Sequence, residues 1–246
     1  MIERSERKTS PTDGAPNQPR SAHNSSKICR YAVYAHSYLG YGADAARVAI
    51  LAEGRAANGT HPCAPAGYDA DYRYAAANVT VRAVGSAGGA SAAACAAAAT
   101  AALHVGTPCG APPAAGGACS FDGAWGGPRV PADVVALAAF WYRADEASLF
   151  PRGNFTVEGA ATPADYAAAA AAACALDLAG LDAAYPAVRV EVRPFLCLDL
   201  TYAAALLEEG FSLPAGEELA VASAAWHGGE EVATGWPLGA AIDALV

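Results

Sequence analysis

YAVYAHSYLGYGADAARVAILA, residues 31–52, is the stretch on which the fold turns. Residues 31–39 are aromatic and apolar without clean alternation, the pattern of a strand buried on both faces. Gly40 and Gly42 close that run, and residues 44–52 then show helical spacing up to Gly54. A strand feeding a helix sets up the intermixing of elements that makes the chain α/β.

The same mixture continues outward. Residues 55–77 are rich in Gly, Pro and Tyr and read as irregular, with His61-Pro62-Cys63 among them. Residues 78–82 alternate Val79 and Val81 with polar neighbours, as a half-exposed strand does. The alanine-rich residues 91–103 predict a helix, and the Gly/Pro-rich residues 106–131 are pinned by Cys109 and Cys119. Pro131 opens a predicted helix over 131–149. Thr162-Pro163-Ala164-Asp165 combines an N-cap hydroxyl, a first-turn proline and an acid three residues on. That helix is expected to run to Tyr185, before Pro186. Val188, Val190 and Val192 alternate with Arg189, Glu191 and Arg193, predicting a strand with one wet face. A helix over 197–209 closed by Gly210, a strand over 218–226 and a helix over 236–246 complete the expectation.

Charge divides the chain. Residues 1–30 carry six basic and three acidic residues, whereas residues 31–246 carry nine basic and 21 acidic ones. The first 30 residues therefore read as a disordered leader of another compositional type. The acidic body argues against duplex nucleic acid, whose binders need cations to displace phosphate counterions. No window holds the about 20 strongly apolar residues of a membrane span. The leader also has no apolar core of a signal peptide.

Cysteine and asparagine usage nevertheless points to an oxidising compartment. Cys63, Cys95, Cys109, Cys119, Cys174 and Cys197 form an even set in the body, without the C-x-x-C spacing that favours zinc. Four of the five asparagines, Asn24, Asn58, Asn78 and Asn154, sit in N-x-Ser/Thr sequons. Chance would give about half a sequon. The body is expected to be a glycosylated secretory-pathway protein.

Local motifs decide little alone. His36 and Ser37 are neighbours on a strand, point to opposite faces and cannot share a proton. Gly85-Ser86-Ala87-Gly88-Gly89 has no following Gly-Lys-Ser/Thr and no clear strand before it, so it reads as a plain loop. His61 beside Cys63 could ligate metal, although a disulfide is the better use of Cys63. No carboxylate pair has a spacing that forces an acid/base assignment.

Taken in order, several segments resemble the apyrase, or ecto-nucleoside triphosphate diphosphohydrolase, family, which includes Golgi guanosine diphosphatases. They are Tyr34-Ala35-His36-Ser37-Tyr38-Leu39, His61-Pro62-Cys63 with Gly67-Tyr68, and Cys119-Ser120-Phe121-Asp122-Gly123. Phe140-Trp141-Tyr142, Phe195-Leu196-Cys197-Leu198-Asp199-Leu200 and Gly210-Phe211-Ser212-Leu213 follow, the latter two similar to plant and algal members. Gly235-Trp236-Pro237-Leu238-Gly239 is similar to the last of the family's five signature motifs.

The resemblance implies the C-terminal lobe of an actin-like, ribonuclease H-like fold over residues 31–246, with nucleotide in a cleft. It implies removal of terminal phosphates from nucleoside di- and triphosphates by a glutamate-activated water, with Ca²⁺ or Mg²⁺ on the phosphates. It implies the disulfides Cys63–Cys95, Cys109–Cys119 and Cys174–Cys197. Tyr142 matches the tyrosine that stacks on the base, a second stacking arginine falls near Arg193, and Trp236 either lines the cleft or supports it. The motifs that hold phosphate, activate water and take up the metal do not occur here; Asp13-Gly14-Ala15 is followed by Pro16 rather than a phosphate hairpin. The expectation is thus an incomplete lobe, without catalytic residues or metal ligands of its own and inactive alone. The alternative is a non-catalytic secreted nucleotide-binding or interaction module.

Overall fold

Ser91 shows how local chemistry sets the elements. Its hydroxyl accepts from the Ala94 amide and starts helix α2, Ala92–Ala102, and Ala102 is succeeded by a buried Leu103. In this computed structural model the described residues are 38–109, 119–125, 134–150, 158–227 and 230–232. They belong to one compact unit, Tyr38–Val246. Ahead of α2 come helix α1, Ala43–Glu53, and the antiparallel pair β1, Asp69–Tyr74, and β2, Val79–Val84. A two-residue hairpin follows, β3, Cys119–Ser120, with β4, Ala124–Trp125.

The second half is built on β5, Val135–Leu137; α3, Ala139–Glu146; and β6, Glu158–Ala161. Next come α4, Pro163–Cys174; α5, Leu178–Ala184; and α6, Leu196–Ala205, which continues as a π-helical turn, Leu206–Gly210. Strand β7, Leu219–Ala222, lies between β5, to which it is parallel, and β6, to which it is antiparallel. A last hairpin joins β8, Ala225–His227, to β9, Glu230–Val232. The mixed α/β class expected from sequence holds.

Helix α6 is the pivot. All ten of its residues are buried, its single charge, Asp199, among them. Leu196 and Leu200 face a cluster with Tyr166, Leu181, Leu219 and Val221. Cys197 and Leu198 face another with Ile50, Leu51, Ala83 and Leu103. The disulfides Cys63–Cys95, Cys109–Cys119 and Cys174–Cys197 are all formed, in the pairing that the resemblance implied.

Several expectations need correction. The predicted helix over 131–149 is instead β5 followed by the short α3. Val135 and Leu137 are drawn into a parallel ladder with β7, and Ala138 at φ +54° separates strand from helix. The predicted helix over 162–185 breaks after Cys174, because Asp177 turns its carboxylate onto the Gly180 amide and caps α5 anew. Its start matches the reading: Thr162 and Asp165 form a reciprocal capping box.

The strand predicted at 188–193 does not exist. Val188 and Val192 are both buried while Val190 is exposed, a helical-turn spacing. The amides of Val192 and Arg193 both bond back to the Arg189 carbonyl. Residues 69–74, read as irregular, form β1, and β2 does run into the Gly85 loop. Gly85 itself answers to packing. A Cβ there would stand 1.8 Å from the Pro65 carbonyl oxygen, so only glycine allows the approach. The predicted strand at 31–39 (through residue 37), the helix at 236–246, and His36, Ser37, Asn24, Asn154 and Trp236 lie outside the described residues.

Candidate functional site

Helix α3 carries Tyr142 on its exposed side, with the ring edge-on to Trp141 at a centroid distance of 5.3 Å. Tyr142 is 52% exposed, conspicuous for a large aromatic ring. It lines a cavity of about 500 Å³ between α3, the start of α1 and α6. Tyr41, Arg47, Arg143, Asp199 and Tyr202 share that lining. This is the size class of small-molecule sites, apolar over much of the wall with a few convergent polar groups.

Those polar groups form one network. Arg47 on α1 grips Asp199 on α6 with two parallel bonds, Nε to Oδ1 at 2.6 Å and Nη2 to Oδ2 at 2.5 Å. Arg143 on α3 donates from Nη1 to the same Oδ2 at 2.7 Å. Asp199 is 7% exposed and Arg47 8%, so the pair sits in a low-dielectric setting that demands complete hydrogen bonding. Burial works to lower the Arg47 pKa, but the hydrogen bonds and charge of Asp199 outweigh it and hold the guanidinium firmly protonated. Arg47 also stacks over Tyr72 and Phe195, at 5.5 and 5.1 Å from the ring centroids. Glu146 pairs with Arg143 at 2.9 Å; burial pushes its carboxyl up, against the pull of Arg143.

A second polar knot closes the cavity's edge. The Tyr41 hydroxyl donates to Asp122 at 3.0 Å, and its pKa is pushed up to about 12 by burial and by that carboxylate. His104 approaches both groups, 2.9 Å from Asp122 and 3.1 Å from Tyr41. The Tyr202 hydroxyl donates to the Tyr41 carbonyl.

Arg193 is not brought to Tyr142. Its guanidinium is engaged by the Val188 and Pro186 carbonyls and by Asp182, where it pins the turn that replaces the predicted strand. Arg189, four residues earlier, lines the cavity instead and pairs with Glu191 at 3.1 Å. Sequence reasoning missed Arg47, Arg143 and Asp199. The Arg47–Asp199 contact spans 152 residues, and no local pattern announces such a pair.

His61, weighed as a metal ligand, is a core residue. Its Nδ1 accepts from the Cys63 amide, which leaves Nε2–H to donate to the Ile50 carbonyl at 2.8 Å. Among the described residues no group of three or more His, Cys, Asp or Glu stands in a metal-holding arrangement. The sequons at Asn58 and Asn78 are exposed, Asn58 accepting from the Thr60 amide and hydroxyl and Asn78 in a left-handed turn.

The cavity thus joins an open aromatic ring to a network of paired arginines and carboxylates in a mixed α/β body. The GDA1/CD39 (nucleoside phosphatase) family matches residues 3–246, and the chain belongs to that family. It is 34% identical over 216 residues to "Probable apyrase 2" of Oryza sativa subsp. japonica, covering 87% of this chain and 44% of that protein. "Apyrase 1" of Arabidopsis thaliana is 31% identical, covering 88% and 44% respectively. "Apyrase" of Solanum tuberosum is 32% identical, covering 87% and 45%. The chain thus spans under half the length of these relatives.

Proposed function

We propose that this chain is the nucleoside-holding, C-terminal lobe of an apyrase-type enzyme with an actin-like fold. The complete enzyme removes terminal phosphates from nucleoside di- and triphosphates. The observation that carries the reading is Tyr142, a half-open aromatic ring over a cavity of about 500 Å³ in a chain of this family. Every base has a π-face, so stacking contributes about 1–3 kcal/mol without demanding one base. Arg189 supplies a planar cation on the same wall and takes the stacking role expected of Arg193. Trp236 is assigned to the cleft by resemblance.

The chemistry itself is not assigned to these residues. Asp199 is taken up by two arginines, and Asp44 accepts from Tyr72 and faces Arg47. Asp199 is therefore unsuited to Ca²⁺ or Mg²⁺. The chain binds nucleotides and does not turn them over by itself. Disulfides and sequons favour the Golgi lumen or the cell exterior.

Equilibrium titration of the chain with ADP and UDP, alongside a divalent-dependent phosphate-release assay, tests this. Expected are saturable binding, a loss of about 5- to 150-fold in affinity for Tyr142→Ala from the lost stacking, and no phosphate release above background. Binding indifferent to Tyr142→Ala, or turnover by the chain alone, contradicts it.

A further inference from the structure

Among the described residues strand β1 has a single partner, β2, and its other edge is open. The Gly85 amide donates to the Tyr68 carbonyl, which sets the phase of the ladder. Hydrogen-bonded pairs alternate along an antiparallel ladder, so Ala70, Tyr72 and Tyr74 turn their amides and carbonyls to β2. The carbonyls of Arg82 and Val84, opposite Asp71 and Asp69, accordingly point away from β1, to the Arg55 side chain and the His61 amide. Asp69, Asp71 and Arg73 turn their backbone groups to the open edge. Among the described residues none of those groups has a backbone partner.

A cavity of about 630 Å³ runs along that edge. Residues 71–76 line it without a gap, as the edge of a strand does and one of its faces does not. Its far wall is the turn that carries Arg189, the exposed Val190 and Pro194.

The side chains of the same strand are self-complementary. Asp69, Asp71 and Arg73 share the exposed face of β1. Arg82 bridges the two aspartates at 2.7 Å from Asp69 and 3.4 Å from Asp71, so Asp71 is the more loosely held. Arg73 has no ion-pair partner among the described residues. Opposed residues of an antiparallel pair lie on the same face, so two copies related by a two-fold axis can pair only in registers centred on a residue. Centring on Asp69, Asp71 or Arg73 sets like charges against each other, and centring on Ala70 opposes Asp69 to Asp71. Only centring on Tyr72 opposes unlike charges without opposing like ones: Asp71 of each copy meets Arg73 of the other, twice.

We propose that β1 is the seam of a two-fold dimer of this chain, its two copies joined antiparallel along their open edges with Tyr72 on the axis. The open backbone groups of Asp71 and Arg73 then complete a four-stranded ladder in the order β2, β1, β1, β2. An open edge is a ready template for such pairing, and a two-fold interface needs only one self-complementary patch. Exposed ion pairs contribute little by themselves, so the ladder supplies the association and the charges set its register.

Sedimentation equilibrium of the intact chain over a concentration series tests this, with a reversible monomer–dimer equilibrium expected. Arg73→Asp and Asp71→Arg are each expected to weaken dimerisation about tenfold or more, because symmetry puts two like-charge contacts in one seam. The double variant, with the charges exchanged, is expected to return within about threefold of wild type. Amide exchange read residue by residue gives a second measure. On raising the concentration, the Asp71 and Arg73 amides are expected to slow, while those of Tyr72 and Tyr74, turned to β2, do not change. A chain monomeric at every concentration overturns the proposal. So does a dimer that both single variants leave intact, a double variant no better than the single ones, or slowing confined to residues outside β1.

Discussion

His61 carries the clearest consequence of burial at the scale of one side chain. It is 2% exposed, bonded at both ring nitrogens, and its pKa is lowered from 6.5, chiefly by desolvation. The unfolded chain therefore takes up a proton near pH 6.5 that the folded one refuses. The stability this histidine supports is fully present above pH 6.5 and falls as pH drops below it, until the folded state protonates too. Thermal melts between pH 7.5 and 5.0 are expected to show a falling midpoint, with a shallower slope in His61→Gln. Equal slopes would mean that other groups dominate. Its neighbour Gly54 belongs to the same packing, since a Cβ there would lie 2.4 Å from the His61 Nε2. From sequence His61 reads only as a weak metal ligand beside a disulfide cysteine, and its core role is not visible there. Its partners are backbone groups, which leave no trace in residue identity.

Elements whose ends have their own chemistry were the legible ones. Thr162-Pro163-Ala164-Asp165 started α4 where expected, and Ser91 capped α2. Elements set by tertiary pairing were not. Val135 and Leu137 look helical beside the α3 residues until β7 supplies a ladder, and Val188 and Val192 mimic a strand until both turn inward. The staple between the end of α4 and the start of α6 came from resemblance and is present in the structure. Cys174 and Cys197 are 23 residues apart, a loop whose closure contributes about 3 kcal/mol. Replacing both by serine is expected to lower the urea stability by about that amount. Because α6 presents Asp199 to the cavity, nucleotide affinity should fall in parallel. An unchanged denaturation midpoint would show that packing of α6 alone suffices.

For the molecule as a whole, the α/β class and the family could be read from residue order. The assembly of the site could not. Arg47, Arg143 and Asp199 come from three helices and meet only because α6, buried on every side, brings α1 and α3 to one carboxylate. Arg193 pins a turn where a strand was expected, and Arg189 lines the cavity. Arg47 and Arg143 are held there by Asp199, Asp44 and Glu146, and the exposed Tyr142 ring lines the same cavity. A base held there would shield α3 and the start of α1 together.

Amide hydrogen exchange on the intact chain with and without UDP tests that joint shielding directly. The account predicts slower exchange in Ala139–Glu146 and in residues 41–47 on adding UDP, and loss of both effects in Tyr142→Ala. Unchanged exchange in these two segments, or protection confined to other parts of the chain, would contradict it.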